Sequence, residues 1–140
     1  MMCFRESLRI EPPVNFSSSH LCTRDVILAK GTPKELKLSK GQTFNFLFNL
    51  MHHNEEQWGP EHDKYIPERF DPSSKYYKRP DGKPRSHHAF TPFLGGARIC
   101  LGKTFAETVA KKMISLILKF YELEHCDTYL KKKVALYDLW

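Results

Sequence analysis

A glycine-rich segment with a single cysteine, followed directly by a long amphipathic stretch, constrains this chain more than any other feature. Residues 93–102 read FLGGARICLG. Glycines adopt positive φ angles and let a backbone approach a flat ligand closely. A cysteine placed just before a helix lies beside unpaired N–H donors, which favour its thiolate form. The segment therefore predicts that Cys100 is a thiolate ligand for a metal, although a lone cysteine after glycine is also compatible with a purely structural role.

The stretch after this loop has the apolar spacing of one helix face. From Lys103 to about Leu123, apolar residues recur every three or four positions. These are Phe105, Ala106, Val109, Ala110, Met113, Ile117 and Phe120. The pattern predicts a helix over residues 103–123 with this face buried.

Composition limits the class of protein. Hydrophobic residues make up 41% of the 140 residues, which is too many for a disordered tail. The net charge of +6 comes from scattered Lys and Arg, the densest run being residues 131–133, and no aromatics are interleaved with a basic stripe. A solvated surface is therefore favoured, and no nucleic-acid partner is expected. No apolar run approaches the roughly 18 residues that span a bilayer, so any membrane anchor would lie outside this sequence.

The cysteines and histidines do not form a recognisable zinc motif. Cys3, Cys22, Cys100 and Cys126 include no C-x-x-C pair, so reduced thiols are expected. The histidines at positions 52, 53, 62, 87 and 88 lack H-x-x-x-H spacing with a carboxylate. Surface or ligand-flanking positions are predicted for them.

The remaining segments predict short elements. Residues 1–11 suit a helix stopped by Pro12-Pro13, and its missing N-cap leads us to expect that the chain begins inside a longer protein. Residues 14–50 suit short strands with turns at Gly31-Thr32-Pro33 and Lys40-Gly41, ending in a strand or short helix. Closely spaced prolines predict an irregular meander over residues 52–89.

Two further motifs accompany the cysteine loop. Glu6 and Arg9 have the spacing E-x-x-R, which places both side chains on one helical face. Alone, such a pair is usually an exposed contact of little energy. A P-E-R-F segment at residues 67–70 supplies a second arginine, Arg69, and residues 51–59 read MHHNEEQWG.

Together these motifs resemble the signatures of the cytochrome P-450 family. The haem-binding pattern F-x-x-G-x-R-x-C-x-G is matched at Phe93, Gly96, Arg98, Cys100 and Gly102, and the alanine that often follows is Ala106. The E-x-x-R and P-E-R-F segments also belong to this family, and residues 51–59 are similar to its H-R-D-P-x-x-W-G. His53 and Asn54 replace the commoner Arg and Asp.

The resemblance implies a role for each matched residue. Cys100 would be the axial ligand of haem b iron, Arg98 would pair with an acidic group of the haem, and Phe93 would shield the sulfur. Glu6, Arg9 and Arg69 would form a structural triad that is needed for haem incorporation. By its position, His20 would reach a haem propionate, whereas Val14 and Phe16 would line an apolar substrate pocket.

The fold implied is mainly α with small β-sheets (α+β), the C-terminal part of the family fold. Residues 1–11 would be its K helix, 14–50 its β region, 52–89 its meander, 90–102 its haem-binding loop, 103–123 its L helix and 124–140 its tail. The A/G-G-x-x-T and W-x-x-x-R segments of the family are absent. The fragment alone is therefore expected to be inactive.

Three functions remain open at this point. The first is a monooxygenase that inserts oxygen from O2 into an apolar organic substrate, with electrons from a flavoprotein reductase or a ferredoxin that docks near Lys103, Lys111 and Lys112. The second is a non-catalytic remnant, and the third is a haem-thiolate isomerase or dehydratase that needs no reductase. For a eukaryotic member, the resemblance implies that the full protein is at the endoplasmic reticulum membrane.

Overall fold

The computed structural model describes residues 1–123 of the chain and divides it into two compact units. The first unit comprises residues 1–100, and the second begins at Leu101. The expected tail, with Cys126 and the lysine run at 131–133, lies outside the described residues.

The first unit combines short helices and short strands. Its elements, in chain order, are α1 (Met2–Ile10), β1 (His20–Leu21), β2 (Val26–Leu28), β3 (Leu36–Leu38), β4 (Thr43–Phe44), α2 (Phe48–His52), α3 (Glu55–Trp58) and the 3₁₀ helices Pro67–Phe70, His87–Ala89 and Gly96–Arg98. The fold is therefore mixed α and β, as the sequence predicted. The segment 45–51, which suits a strand or a helix by sequence, ends in helix α2.

The strands form two small antiparallel sheets. β1 pairs with β4, with His20 opposite Phe44, and β2 pairs with β3, with Ile27 opposite Lys37. The predicted turns at Gly31-Thr32-Pro33 and Lys40-Gly41 lie between these strands, the first within a turn segment that spans residues 29–34. The β1–β4 pairing fixes His20 at the edge of the first sheet.

The interior of the first unit is small and contains charged side chains. α1 packs against the 3₁₀ helix Pro67–Phe70 and also contacts α2. The buried apolar residues are Leu8, Cys22, Phe48, Trp58 and Ala89. The buried polar residues are Glu6, Arg9, Ser17, His52 and Arg69. Because charged groups are almost never fully buried unless they are paired, this interior depends on polar contacts as much as on apolar packing.

The second unit contains one long helix, α4 (Lys103–Phe120). It is three residues shorter than the predicted range because Tyr121 adopts an extended conformation. The prediction that its apolar face is buried was wrong for the described structure, in which Phe105 is 75% exposed and Met113 is 57% exposed. Apolar spacing defines a helix face, but it does not supply the surface that covers the face. No helix within residues 1–123 is long and apolar enough to span a membrane.

Candidate functional site

The cysteine loop is a closed turn within the first unit. The Cys100 backbone N–H donates to the Phe93 carbonyl at 2.8 Å, and the Leu94 N–H donates to the Thr91 carbonyl at 3.0 Å. Between these contacts lies the 3₁₀ helix Gly96–Arg98. Cys100 is an exposed free thiol, and Phe93 is half-buried. The hydrogen bond across the loop therefore holds Cys100 beside Phe93 while leaving the sulfur accessible.

Left-handed backbone at two positions bends this loop. Leu94 has a φ of +58° and Gly96 a φ of +63°. A Cβ at Gly96 would meet no atom within 4 Å. Glycine is therefore favoured at position 96 by the backbone conformation and not by lack of space. Leu94 adopts the same region despite its side chain, which is unfavourable for a residue with a Cβ.

His20 and Arg98, predicted separately from the sequence, line one cavity of about 200 Å³. Ser18, Leu94, Ala97 and Ile99 complete its lining. The His20 ring stacks on Phe44 with centroids 5.4 Å apart and meets Phe46 edge-on at 5.3 Å. Its Nε2 is buried and has no hydrogen-bond partner among residues 1–123. The aromatic contacts thus fix the position of the His20 ring, while its Nε2 still lacks a hydrogen-bond partner.

This donor set fits a cofactor that carries carboxylates. A guanidinium and an imidazole nitrogen that face one cavity are suitable partners for an anionic oxygen. Haem b presents such groups as its propionates, and Cys100, the predicted thiolate ligand, lies in the same unit of the chain as His20 and Arg98. The residues present therefore fit haem: Cys100 would ligate its iron, and His20 and Arg98 would hold a propionate.

The other predicted site residues lie elsewhere. Gly102 is the N-cap of α4, and the Ala106 N–H donates to the Gly102 carbonyl at 2.8 Å in its first turn. Val14 and Phe16 are 58% and 56% exposed, and neither lines the cavity of His20 and Arg98. Phe16 forms an isolated antiparallel bridge to Leu47.

Glu6 and Arg9 form a fully buried ion pair. Arg9 Nε donates to Glu6 Oε2 at 2.9 Å, and Arg9 Nη2 donates to Glu6 Oε1 at 2.8 Å. The remaining Arg9 donors reach the carbonyls of His52, His62 and Lys64 at 3.0, 2.6 and 3.0 Å. One guanidinium therefore ties helix α1 to two parts of the meander.

Arg69 completes the buried cluster. Its Nε lies 3.5 Å from Glu6 Oε1, and its Nη1 donates to the Trp58 carbonyl at 2.6 Å, while Nη2 donates to the Glu61 carbonyl. Burial, followed by the nearby Arg9 charge, lowers the pKa of Arg69. The Ile66 N–H also donates to Glu6 Oε1 at 2.8 Å. Thus a single carboxylate faces two arginines and receives a backbone donor.

His52 is a further member of this region, and of the two positions predicted for it, at the surface or flanking the ligand, the surface position was wrong. Its side chain is fully buried, and its Nε2 accepts a hydrogen bond from the Thr91 N–H at 3.1 Å. Burial, then the charges of His53 and Arg9, lower its pKa to about 4. A neutral ring is required because Nε2 must accept. The available sequence signal was its i+4 spacing from the apolar Phe48, which places both on one helix face.

Arg85 is a second residue that the sequence analysis missed. It donates to the carbonyls of Gln57, Arg69, Tyr76, Tyr77 and Lys78. Its Cζ also lies 4.3 Å from the centre of the Trp58 ring. All five N–H donors of the guanidinium are used, so Arg85 links separate segments of the meander to one another. An arginine between Pro84 and Ser86 has no periodic context that would indicate this role.

Comparison with known proteins identifies the family. The family model described as Cytochrome P450 matches residues 1–135. The chain is 36% identical to Cytochrome P450 4F12 of Homo sapiens over 96% of its own length and 23% of that protein. It is also 36% identical to the Bifunctional cytochrome P450/NADPH--P450 reductase 2 of Bacillus subtilis, over 96% of the chain and 12% of that protein.

A solved structure gives the same result. The retinoic acid bound cyanobacterial CYP120A1 aligns with a TM-score of 0.67 and 26% identity, over 84% of this chain and 25% of that one. The chain therefore spans about a quarter or less of the length of these relatives. With its cysteine loop, its buried Glu6–Arg9–Arg69 cluster and these similarities, the chain belongs to the cytochrome P450 family.

Proposed function

We propose that this chain supplies the haem-binding part of a haem-thiolate monooxygenase, with Cys100 as the axial ligand of haem b. The observation that carries the proposal is the cavity lined by His20 and Arg98, in which a buried imidazole nitrogen lacks a partner. The same unit contains the loop that presents Cys100. When haem is bound through a thiolate, it supplies the activation of dioxygen for oxygen insertion into a substrate.

The chain's own residues bind, orient and support the haem. Arg98 and His20 would fix one propionate, Phe93 would limit access of water to the sulfur, and the Gly96 turn would set the path of the loop. The cluster of Glu6, Arg9 and Arg69 would hold the meander in place and so preserve the site. Gly102 and Ala106 would begin the helix after the ligand.

The proposed substrate is a small apolar organic molecule. Val14 and Phe16 are exposed apolar side chains in the segment that leads to β1, and they are the candidate contacts. The cyanobacterial relative is described as bound to retinoic acid, a largely apolar ligand. This supports an apolar substrate class without specifying a compound.

The proposed electron donor is a flavoprotein reductase or a ferredoxin. The Bacillus subtilis relative is, by its name, joined to an NADPH--P450 reductase. Lys111 and Lys112 are exposed on α4, and Lys103 is partly exposed. These lysines are the candidate contacts for an acidic donor surface. Attachment of the full protein to the endoplasmic reticulum membrane stays a prediction.

Haem titration tests the proposal. The protein should take up one haem, and Arg98→Gln and His20→Leu should each weaken uptake, because each removes a partner of the propionate. Arg24→Gln, which removes an arginine outside the cavity lining, serves as the control. Equal affinity of all four proteins for haem would contradict the proposed site.

The alternative functions differ in residues that this sequence does not include. The coding sequence upstream of Met1 distinguishes them. In-frame A/G-G-x-x-T and W-x-x-x-R segments would support the monooxygenase. An immediate stop codon would instead indicate the non-catalytic remnant, and a distal helix without the oxygen-activating residues would indicate the isomerase or dehydratase.

A further inference from the structure

A second cavity, of about 220 Å³, lies in the meander and shares no lining residue with the cavity of His20 and Arg98. Its lining contains five cationic side chains and a single carboxylate, that of Glu61. The cations are Arg69, Lys75, Lys78, Arg79 and Arg85. Glu61 also forms an ion pair with Lys64, at 2.8 Å.

The arginines around this cavity differ in what they can offer. All five donors of Arg85 are used on backbone carbonyls, so it contributes positive charge and not hydrogen bonds. Burial, then the charges of Arg69 and Arg9, lower the pKa of Arg85 to about 10. Arg69 donates to the Trp58 and Glu61 carbonyls.

Three buried N–H donors of the lining residues have no hydrogen-bond partner among the described residues: Trp58 Nε1, Arg69 Nε and Arg79 Nε. Arg69 Nε lies 3.5 Å from Glu6 Oε1, so Trp58 Nε1 and Arg79 Nε are the candidate donors to a ligand. Trp58 is 4% exposed, so its indole N–H cannot rely on bulk water. Arg79 Nη2 forms ion pairs with Glu56 and Asp81, at 3.0 and 3.2 Å. Arg79 Nε makes no hydrogen bond within the described residues. Buried donors without acceptors are costly, and the cost is recovered if an acceptor binds.

From these observations we infer that the meander cavity, lined by Trp58, Lys75, Lys78 and Arg79, is a binding site for a phosphate group. A tetrahedral oxyanion accepts hydrogen bonds from more directions than a planar carboxylate does. It therefore suits a site with an indole N–H, a guanidinium N–H and two ammonium groups. The volume accommodates such a group together with a few waters, each of which takes about 30 Å³. The group can belong to free phosphate or to a phosphomonoester.

Calorimetric titration of the haem-loaded protein with inorganic phosphate tests the site, with chloride used to keep the ionic strength constant. We expect saturable binding at one site. The double variant Lys75→Gln/Lys78→Gln should bind at least about fivefold more weakly, the loss expected for one exposed charge pair. Lys34→Gln/Lys40→Gln removes the same charge from exposed turns and should leave the affinity unchanged.

Adenosine 5′-monophosphate in a parallel titration distinguishes the two sources. Binding tighter than that of inorganic phosphate would support a site for a phosphomonoester, and equal binding would support a site for the free anion. Absence of saturable phosphate binding would overturn the inference. So would an equal loss of affinity in the two double variants, because general attraction to a basic protein would then explain the binding.

Discussion

The charge of Glu6 should be essential to the stability of this chain. Glu6→Gln keeps the size of the side chain and removes its negative charge. The Glu6 carboxylate accepts from Arg9 twice and from the Ile66 N–H, and it lies 3.5 Å from Arg69. In the variant, an amide group would face these donors, and two buried guanidinium groups would lose their counter-charge.

The expected cost follows from this burial. Removal of one partner from a buried ion pair costs about 3–5 kcal/mol, because the remaining charge stays desolvated. Small domains have free energies of unfolding of about 5–15 kcal/mol, so the variant should lose a large share of its stability. Urea denaturation of the haem-free protein, followed by far-UV circular dichroism, measures the change.

Glu56→Gln is the matched control for this experiment. The Glu56 carboxylate also pairs with an arginine, Arg79, at 3.0 Å, but it is 58% exposed. Exposed pairs contribute up to about 1 kcal/mol, so this variant should be close to the parent protein. If Glu6→Gln loses no more free energy of unfolding than Glu56→Gln, the charge of Glu6 in the buried cluster does not stabilise the fold.

Three other predictions follow from the geometry. Because burial lowers the pKa of His52 from 6.5 to about 4, the unfolded chain binds the proton first, so the free energy of unfolding should fall as pH drops from about 6.5 towards 4. Urea midpoints measured over this range should depend less on pH in His52→Gln, and an unchanged profile would refute the assignment. Arg85→Ala should lower the free energy of unfolding by about 3 kcal/mol in urea denaturation, because five carbonyls lose their donor, whereas the exposed Lys83→Ala should have little effect. Gly96→Ala should cost about 1–2 kcal/mol because its φ is +63°, but Gly95→Ala, in extended backbone, should cost less; equal costs in thermal unfolding would argue against the turn.

The local motifs allowed much of the fold to be predicted. The E-x-x-R spacing placed Glu6 and Arg9 on one face of a helix, and the structure has that helix with both side chains buried. Glycines and prolines indicated the turns and the irregular meander. The role of His20 as a partner of a haem propionate stays a prediction, although His20 and Arg98 line one cavity.

Residues whose roles depend on distant backbone could not be predicted. Arg85 donates hydrogen bonds to carbonyls in three separate segments of the chain. The His52 ring accepts a hydrogen bond from the Thr91 N–H, 39 positions away. No local pattern encodes such contacts. The face of α4 was recognised from its spacing, but its burial was predicted incorrectly because amphipathicity does not identify a partner surface.

The reduced carbon monoxide complex of the haem-loaded protein tests the central assignment of Cys100 most directly. The parent protein should show a red-shifted, thiolate-type Soret band, and so should Cys3→Ser, which removes another exposed thiol. The band should be lost in Cys100→Ser. A thiolate-type band that persists in Cys100→Ser would contradict the assignment of Cys100 as the haem ligand.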